Sequence, residues 1–240
     1  MIKVHPSWQE IINLSYNKLN LEYREFLEKD EGYFPSYNNF LNAFKTLSLD
    51  NTRYILFGQD PYPRAQSASG YAFIDGDVKE IFTENGLSKK VNRATSLRNF
   101  LKMLLVAQGS LSEKDCSKDA IAKIDKSRFI MNIMQLKDNF EKNGVLLLNT
   151  SLIFTDKKST SIHVKNFLPF MNELLLNLKD REIELIMLGN ISQIIRKKIP
   201  YSNNFKTFEA MHPYNVQFIK DSSVRSFFKP MNLLSASLKK

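Results

Sequence analysis

Four short apolar runs decide what this chain can fold into: residues 53–57, 145–148, 184–188 and, more weakly, 205–211. Each has the length of a strand and is apolar at successive rather than alternate positions, the pattern of a strand buried on both faces. Between the runs lie segments of helical spacing. Trp8, Ile11, Ile12, Tyr16 and Leu19 recur at intervals of three and four, and Ser36 stands as an N-cap ahead of Phe40, Ala43, Phe44 and Leu47. Residues 96–105, 167–178 and 191–198 carry the same period, whereas 110–138 is polar and predicts peripheral helix. Continuous apolar strands alternating with helices predict an α/β fold, a three-layer α/β/α arrangement with a central, mainly parallel four-stranded sheet. No repeat, low-complexity run or linker interrupts the pattern, and 240 residues at 43% apolar suffice for one core, so a single domain over 1–240 is expected.

The residues at the end of each run are more informative than the run itself. Residues 53–57 lead into Gly58-Gln59-Asp60-Pro61-Tyr62-Pro63, residues 145–148 into Asn149-Thr150-Ser151, residues 184–188 into Gly189-Asn190, and the last run into His212-Pro213. Open α/β sheets bind ligands at the carboxyl ends of their strands. Here those ends carry Asp, Tyr, Asn and His, the side chains of a polar active site.

Composition removes several chemistries. One cysteine, Cys116, and three histidines, His5, His163 and His212, provide no zinc finger, no cysteine-ligated cluster and no zinc-deaminase signature, so a mechanism without metal or cofactor is expected. A lone cysteine agrees with a reducing compartment, and no apolar run approaches the length of a membrane span. With no secretory pattern visible in residues 1–12, the expected location is the cytoplasm. The net charge of +9 favours an anionic partner, and basic residues gather at 157–158, 196–198 and 220–229, which points to nucleic acid rather than a membrane surface.

Taken singly, each candidate has an ordinary reading. An Asp in a Gly/Pro turn commonly bonds nearby backbone amides, an Asn after a strand caps a helix, His-Pro occurs in loops, and Phe73 reads as core. As a set, they match one pattern. ILFGQDPYPRAQSASGYAF resembles the first signature of the family-1 uracil-DNA glycosylases, G-Q-D-P-Y-H followed at the same spacing by G-L-A-F. GVLLLNTSLIF resembles the family's second block, ATSLRN its P-P-S-L loop, and MHP the start of its third block, H-P-S-P-L-S. The resemblance runs in order from about Trp8 to Met231.

That resemblance implies hydrolysis of the N-glycosidic bond of deoxyuridine in DNA after the nucleotide is turned out of the stack. It makes Asp60 and His212 the catalytic pair, the first beneath the sugar and the second donating to the departing uracil. Gln59, Tyr62, Phe73 and Asn149 are then the uracil-binding residues, with Tyr62 excluding the 5-methyl of thymine and Phe73 stacking on the ring. Ser96, Ser151 and His163 are expected to grip phosphates, Pro61 and Pro213 to lie against the DNA, and Val216 or Phe218 to fill the vacated stack, with Ile219 a further candidate. The expected partner is uracil-containing DNA, single- or double-stranded, bound by a monomer.

Three departures stand out. Pro63 replaces the usual histidine, as in poxviral members, and Arg64 is the residue to supply compensating charge. Tyr214-Asn215-Val216-Gln217 replaces S-P-L-S, and the loop ahead of Phe227-Phe228 is longer. These changes motivate one alternative, a DNA-binding accessory or processivity subunit on a glycosylase scaffold.

Overall fold

The computed structural model describes residues 3–236. Its elements, in chain order, are α1 (Gln9–Asn17), α2 (Leu21–Glu28), β1 (Tyr54–Gly58), β2 (Phe82–Thr83), β3 (Gly86–Leu87), α3 (Lys89–Arg93), α4 (Thr95–Ala107), α5 (Lys118–Ala122), α6 (Ile133–Lys142), β4 (Val145–Asn149), α7 (Thr160–Leu178), β5 (Glu184–Leu188), α8 (Ile191–Lys198), β6 (Lys206–Ala210) and α9 (Ser222–Phe228). The chain gathers into two compact units, each built from two stretches: Met1–Asp75 with Gly144–Glu209, and Gly76–Asn143 with Ala210–Lys240.

The first unit holds the expected sheet. Its strand order is β4-β1-β5-β6, with β1 parallel to both β4 and β5, and helices flank it. Ile55, Phe57, Leu146, Leu148, Leu185 and Met187 bury one face in a core with Trp8, Ile12 of α1 and Phe167, Phe170, Met171, Leu174 and Leu175 of α7. Leu56, Leu147, Ile186 and Leu188, of opposite parity, are buried as well, which is why the runs read as continuous rather than alternating. The indole of Trp8 donates to the Leu47 carbonyl at 2.9 Å, so this fully buried ring leaves no polar atom orphaned.

Two local expectations differ from the structure. Helix α7 begins at Thr160 rather than 167, and runs through Pro169. The missing proline N–H deprives the Lys165 carbonyl of its helical partner, and both Pro169 and Lys165 lie on the exposed face, where such a break is least costly. The segment after Ser36 forms turns and a single 3₁₀ turn, Asn42–Phe44, instead of an α-helix. The Ser36 carbonyl accepts from Asn39 and Phe40, but asparagine side chains then divert the chain: Asn39 bonds Ser36 Oγ at 3.0 Å, and Asn42 donates to the Ser69 carbonyl at 2.8 Å.

The second unit is organised on α4, which is buried nearly all round through Leu97, Phe100, Leu101, Met103, Leu104 and Leu105. Phe100 stacks on Phe218 at 6.0 Å and meets Phe228 of α9 edge-on at 5.1 Å. The polar stretch 110–138 supplies two short helices, α5 and α6, the latter started by a reciprocal capping box between Asn132 and Gln135. The β2–β3 hairpin, which turns through Glu84 and Asn85, is not foreshadowed by any strand pattern in the sequence. Among the described residues, no helix is long and apolar enough to cross a membrane.

Candidate active site

In the first unit the site begins with register. Gly58, the last residue of β1, lies opposite Asn149, the last residue of β4, so the two loops beyond them leave the sheet side by side. They stay joined beyond the strands: Thr150 N donates to the Gly58 carbonyl and Ser151 N to the Gln59 carbonyl, both at 2.9 Å. Thr150 Oγ1 adds a 2.8 Å bond to the same Gln59 carbonyl, which fixes the peptide immediately before Asp60. Thr150 is a contributor that sequence reasoning missed, because a Thr after a strand carries no signal of its own.

Asn149 is buried, and its amide makes no hydrogen bond to another described residue, yet its atoms are not sealed from solvent. A buried amide left unengaged is costly unless something else pairs with it. Its position depends on Gly58: a Cβ on that glycine would lie 2.2 Å from Asn149 Oδ1 and 3.0 Å from Ala72 Cβ. The glycine is therefore required for close approach of the amide, a role its place in a turn motif does not reveal.

Asp60 is half-buried, and no cation or hydrogen-bond donor among the described residues faces its carboxylate. Burial pushes its pKa above the ordinary carboxylate value. Tyr62, in the same loop, is pushed up by burial and by the charge of Asp75, which keeps the phenol protonated. Arg64 pairs with the buried Asp75 at 3.6 Å, so its charge is tied to the loop. Pro61 is buried, while Gln59 and Pro63 are exposed.

Phe73 sits in a left-handed backbone conformation, φ +64°, which is strained for an aromatic residue. The surrounding segment holds it there. Ala72 N donates to the Leu147 carbonyl of β4 at 3.1 Å, Ser69 Oγ donates to the Ile74 carbonyl at 2.6 Å, and Gly70 approaches the Asn39 carbonyl so closely that a Cβ would stand 2.2 Å from it.

Four candidates for DNA contact are not presented as such. The Ser151 hydroxyl is fully buried and donates to the Ile153 carbonyl at 2.7 Å, so it is committed inward. Both ring nitrogens of the buried His163 are engaged, Nδ1 with the Tyr23 hydroxyl at 2.8 Å and Nε2 with Thr155 Oγ1 at 2.9 Å. Burial pushes the pKa of His163 down, and the ring stacks on Phe26 at 6.2 Å, as befits a neutral core histidine. Phe218 is 0% exposed and Ile219 3%, because the 3₁₀ turn Val216–Ile219 turns them into the α4 core. Val216, by contrast, is 60% exposed and Tyr214 70%.

In the second unit, Ser96 is half-buried in the first turn of α4, a helix whose N-cap, Ala94, offers no side-chain bond to the free amides. His212 opens a turn closed by Asn215 N on the His212 carbonyl at 2.9 Å, with Pro213 buried inside it. The Tyr214 amide donates to His212 Nδ1 at 3.1 Å. An acceptor Nδ1 leaves the neutral ring's proton on Nε2, so Nε2 is a donor. Although His212 as a residue is exposed, partial desolvation of its ring lowers its pKa and favours that neutral form. Among the described residues, no three His, Cys, Asp or Glu side chains group as a metal site.

A parallel sheet whose strand ends carry an unpaired carboxylate, a protonated phenol and an unengaged amide defines an α/β enzyme built to hold a small polar group. Known proteins agree. The chain is 43% identical to a UNG crystal structure from Nitratifractor salsuginis, with a TM-score of 0.95 and coverage of 98% of this chain and 94% of that one. It is 26% identical over 219 residues to the uracil-DNA glycosylase of Fusobacterium nucleatum, covering 89% of this chain and 83% of the relative. For the uracil-DNA glycosylase of Clostridioides difficile the identity is 28% over 221 residues, covering 89% and 84%. The family model of the Uracil DNA glycosylase superfamily matches residues 44–233, which include parts of both units, and the chain belongs to that superfamily.

Proposed function

We propose that Asp60, His212 and Asn149 divide the work of uracil excision between sugar, leaving group and base recognition. The chain is a monofunctional glycosylase that removes uracil from DNA in base-excision repair. Breaking the N1–C1′ bond leaves positive charge on the deoxyribose and negative charge on uracil. The Asp60 carboxylate answers the first and orients the water whose oxygen bonds to C1′, taking up the proton that the water releases. Its lack of a cation partner keeps that charge available, since a paired carboxylate is already neutralised. His212 answers the second by donating Nε2–H to uracil O2 as a neutral imidazole, so the base departs as an anion stabilised by a hydrogen bond.

The observation that carries this reading is the buried, unengaged Asn149 amide lying against Gly58. It supplies a donor and an acceptor side by side, the complement of uracil O4 and N3–H; cytosine presents the reverse and leaves buried groups unpaired. Phe73 stacks on the ring, Tyr62 stands where the 5-methyl of thymine would enter, and Gln59 contributes backbone. Ser96 and the open amides of α4 receive a phosphate, and Pro61 and Pro213 shape the path of the strand.

The test is release of free uracil from a uracil-containing oligonucleotide, compared with Asp60→Asn. The expected result is robust release by the parent protein and a loss of at least roughly a hundredfold in turnover, with DNA affinity little altered. No release by the parent would leave the accessory-subunit alternative standing, and unaltered release by the variant would remove Asp60 from the mechanism.

A further inference from the structure

The His212 imidazole stands on a turn, and that turn is held by a buried side chain of α4. Asn99 lies one helical turn after Ser96 and is only 3% exposed, an amide set among Leu97, Phe100 and Leu101. Its Nδ2 donates to the Pro213 carbonyl at 2.8 Å and to the Tyr214 carbonyl at 3.3 Å. Those are the two residues immediately after His212. The peptide linking them carries the Tyr214 N–H that bonds His212 Nδ1 at 3.1 Å. Because a peptide is planar, holding the Pro213 carbonyl also sets the direction of the Tyr214 N–H. A chain of two bonds thus runs from Asn99 through a single peptide group to the imidazole, and its last link selects the tautomer with the proton on Nε2.

We infer that Asn99 is the positioning residue for His212: it orients the 213–214 peptide so that the ring is held neutral, with its proton on Nε2. Hydrophobic packing alone does not set the rotation of that peptide. An apolar side chain at 99 fills the same space but leaves two carbonyls without their donor. Ser96 and Asn99, three residues apart, share one face of α4. One rigid helix therefore carries both the proposed phosphate contact and the brace of the leaving-group donor. The inference rests on the proposed role of His212, and its test separates the two.

The experiment is a double-mutant cycle on single-turnover uracil release, using Asn99→Leu, His212→Ala and the pair, with thermal unfolding and His212 ring ¹⁵N shifts recorded alongside. Asn99→Leu is expected to slow release about tenfold, the scale of one buried hydrogen bond, with less than about a twofold change in DNA affinity. The ¹⁵N shifts are expected to show loss of the pure Nε2–H tautomer. In the His212→Ala background the same substitution is expected to cost nothing further, because the group it positions is gone. Asn99→Asp, which keeps the shape and loses the N–H donors, carries the same expectation where the leucine variant does not fold. An equal loss in both backgrounds, or an unchanged tautomer, overturns the inference while leaving His212 in place. An unimpaired His212→Ala enzyme overturns the reading beneath it.

Discussion

Gly58→Ala is a one-methyl change that separates the proposed recognition site from the stability of the sheet. The added methyl would stand 2.2 Å from Asn149 Oδ1, and the second contact, with Ala72 Cβ, is at 3.0 Å. To restore an ordinary separation of roughly 3.4 Å, the Asn149 amide must retreat by about 1 Å. It has no protein hydrogen bond to hold it, so the amide swings or β4 shifts outward rather than the methyl being refused. The overpacking cost is about 1–3 kcal/mol of stability. The cost to catalysis is larger, because a displacement of about 1 Å from a productive geometry is worth on the order of a hundredfold in rate. Uracil excision is expected to fall by about that factor in single-turnover assays, and discrimination against cytosine to narrow. Gly109→Ala is the control: its φ of +73° makes a side chain strained, but nothing lies within 4 Å of the new Cβ. It is expected to lose about 1 kcal/mol of stability with no change in uracil release. If Gly58→Ala excises uracil at the parental rate with unchanged base preference, the glycine is not the seat of the reading amide.

The proposed mechanism requires Asp60 ionised and His212 neutral, and burial raises the pKa of the first while desolvation lowers that of the second. Both needs fail as pH falls, so the rate is expected to have an acid limb lying between about 4 and about 6.5, the ordinary carboxylate and imidazole values. A single-turnover pH profile that is flat across this window, or that rises toward acid, contradicts the assignment. Val216→Ala, at a 60% exposed position, is expected to weaken excision from duplex more than from single-stranded DNA at little cost in stability. Phe218→Ala is expected to destabilise the fold by about 3–5 kcal/mol, and a selective loss of duplex activity by a well-folded Phe218→Ala protein would restore Phe218 as the wedge.

How much of the fold and site was legible in the sequence depends on the distance over which each residue acts. Strand identity was legible because burial on both faces writes a local apolar run: Glu184–Leu188 is found at the expected residues, and Tyr54–Gly58 is shifted by one. Asp60, Tyr62 and Asn149 were legible as strand-end residues, since a parallel sheet delivers its carboxyl ends to one edge whatever the loops do. Hydroxyl and imidazole allegiances were not. Ser151 and His163 have the chemistry of phosphate ligands, but their bonds go to Ile153, Tyr23 and Thr155, and Tyr23 lies 140 residues from His163 along the chain. The same limit hid Asn99, whose partners lie 114 and 115 residues away. Its one sequence trace was an amide on a helical stretch at a position whose i+4 and i+7 neighbours, Met103 and Val106, are apolar. Such a residue is tolerated in a core only when its bonds are met, so a lone buried asparagine on a helix is a pointer to whichever loop it satisfies. Here that loop carries His212, so the orientation of the proposed leaving-group donor is tied to a side chain that need touch neither uracil nor DNA.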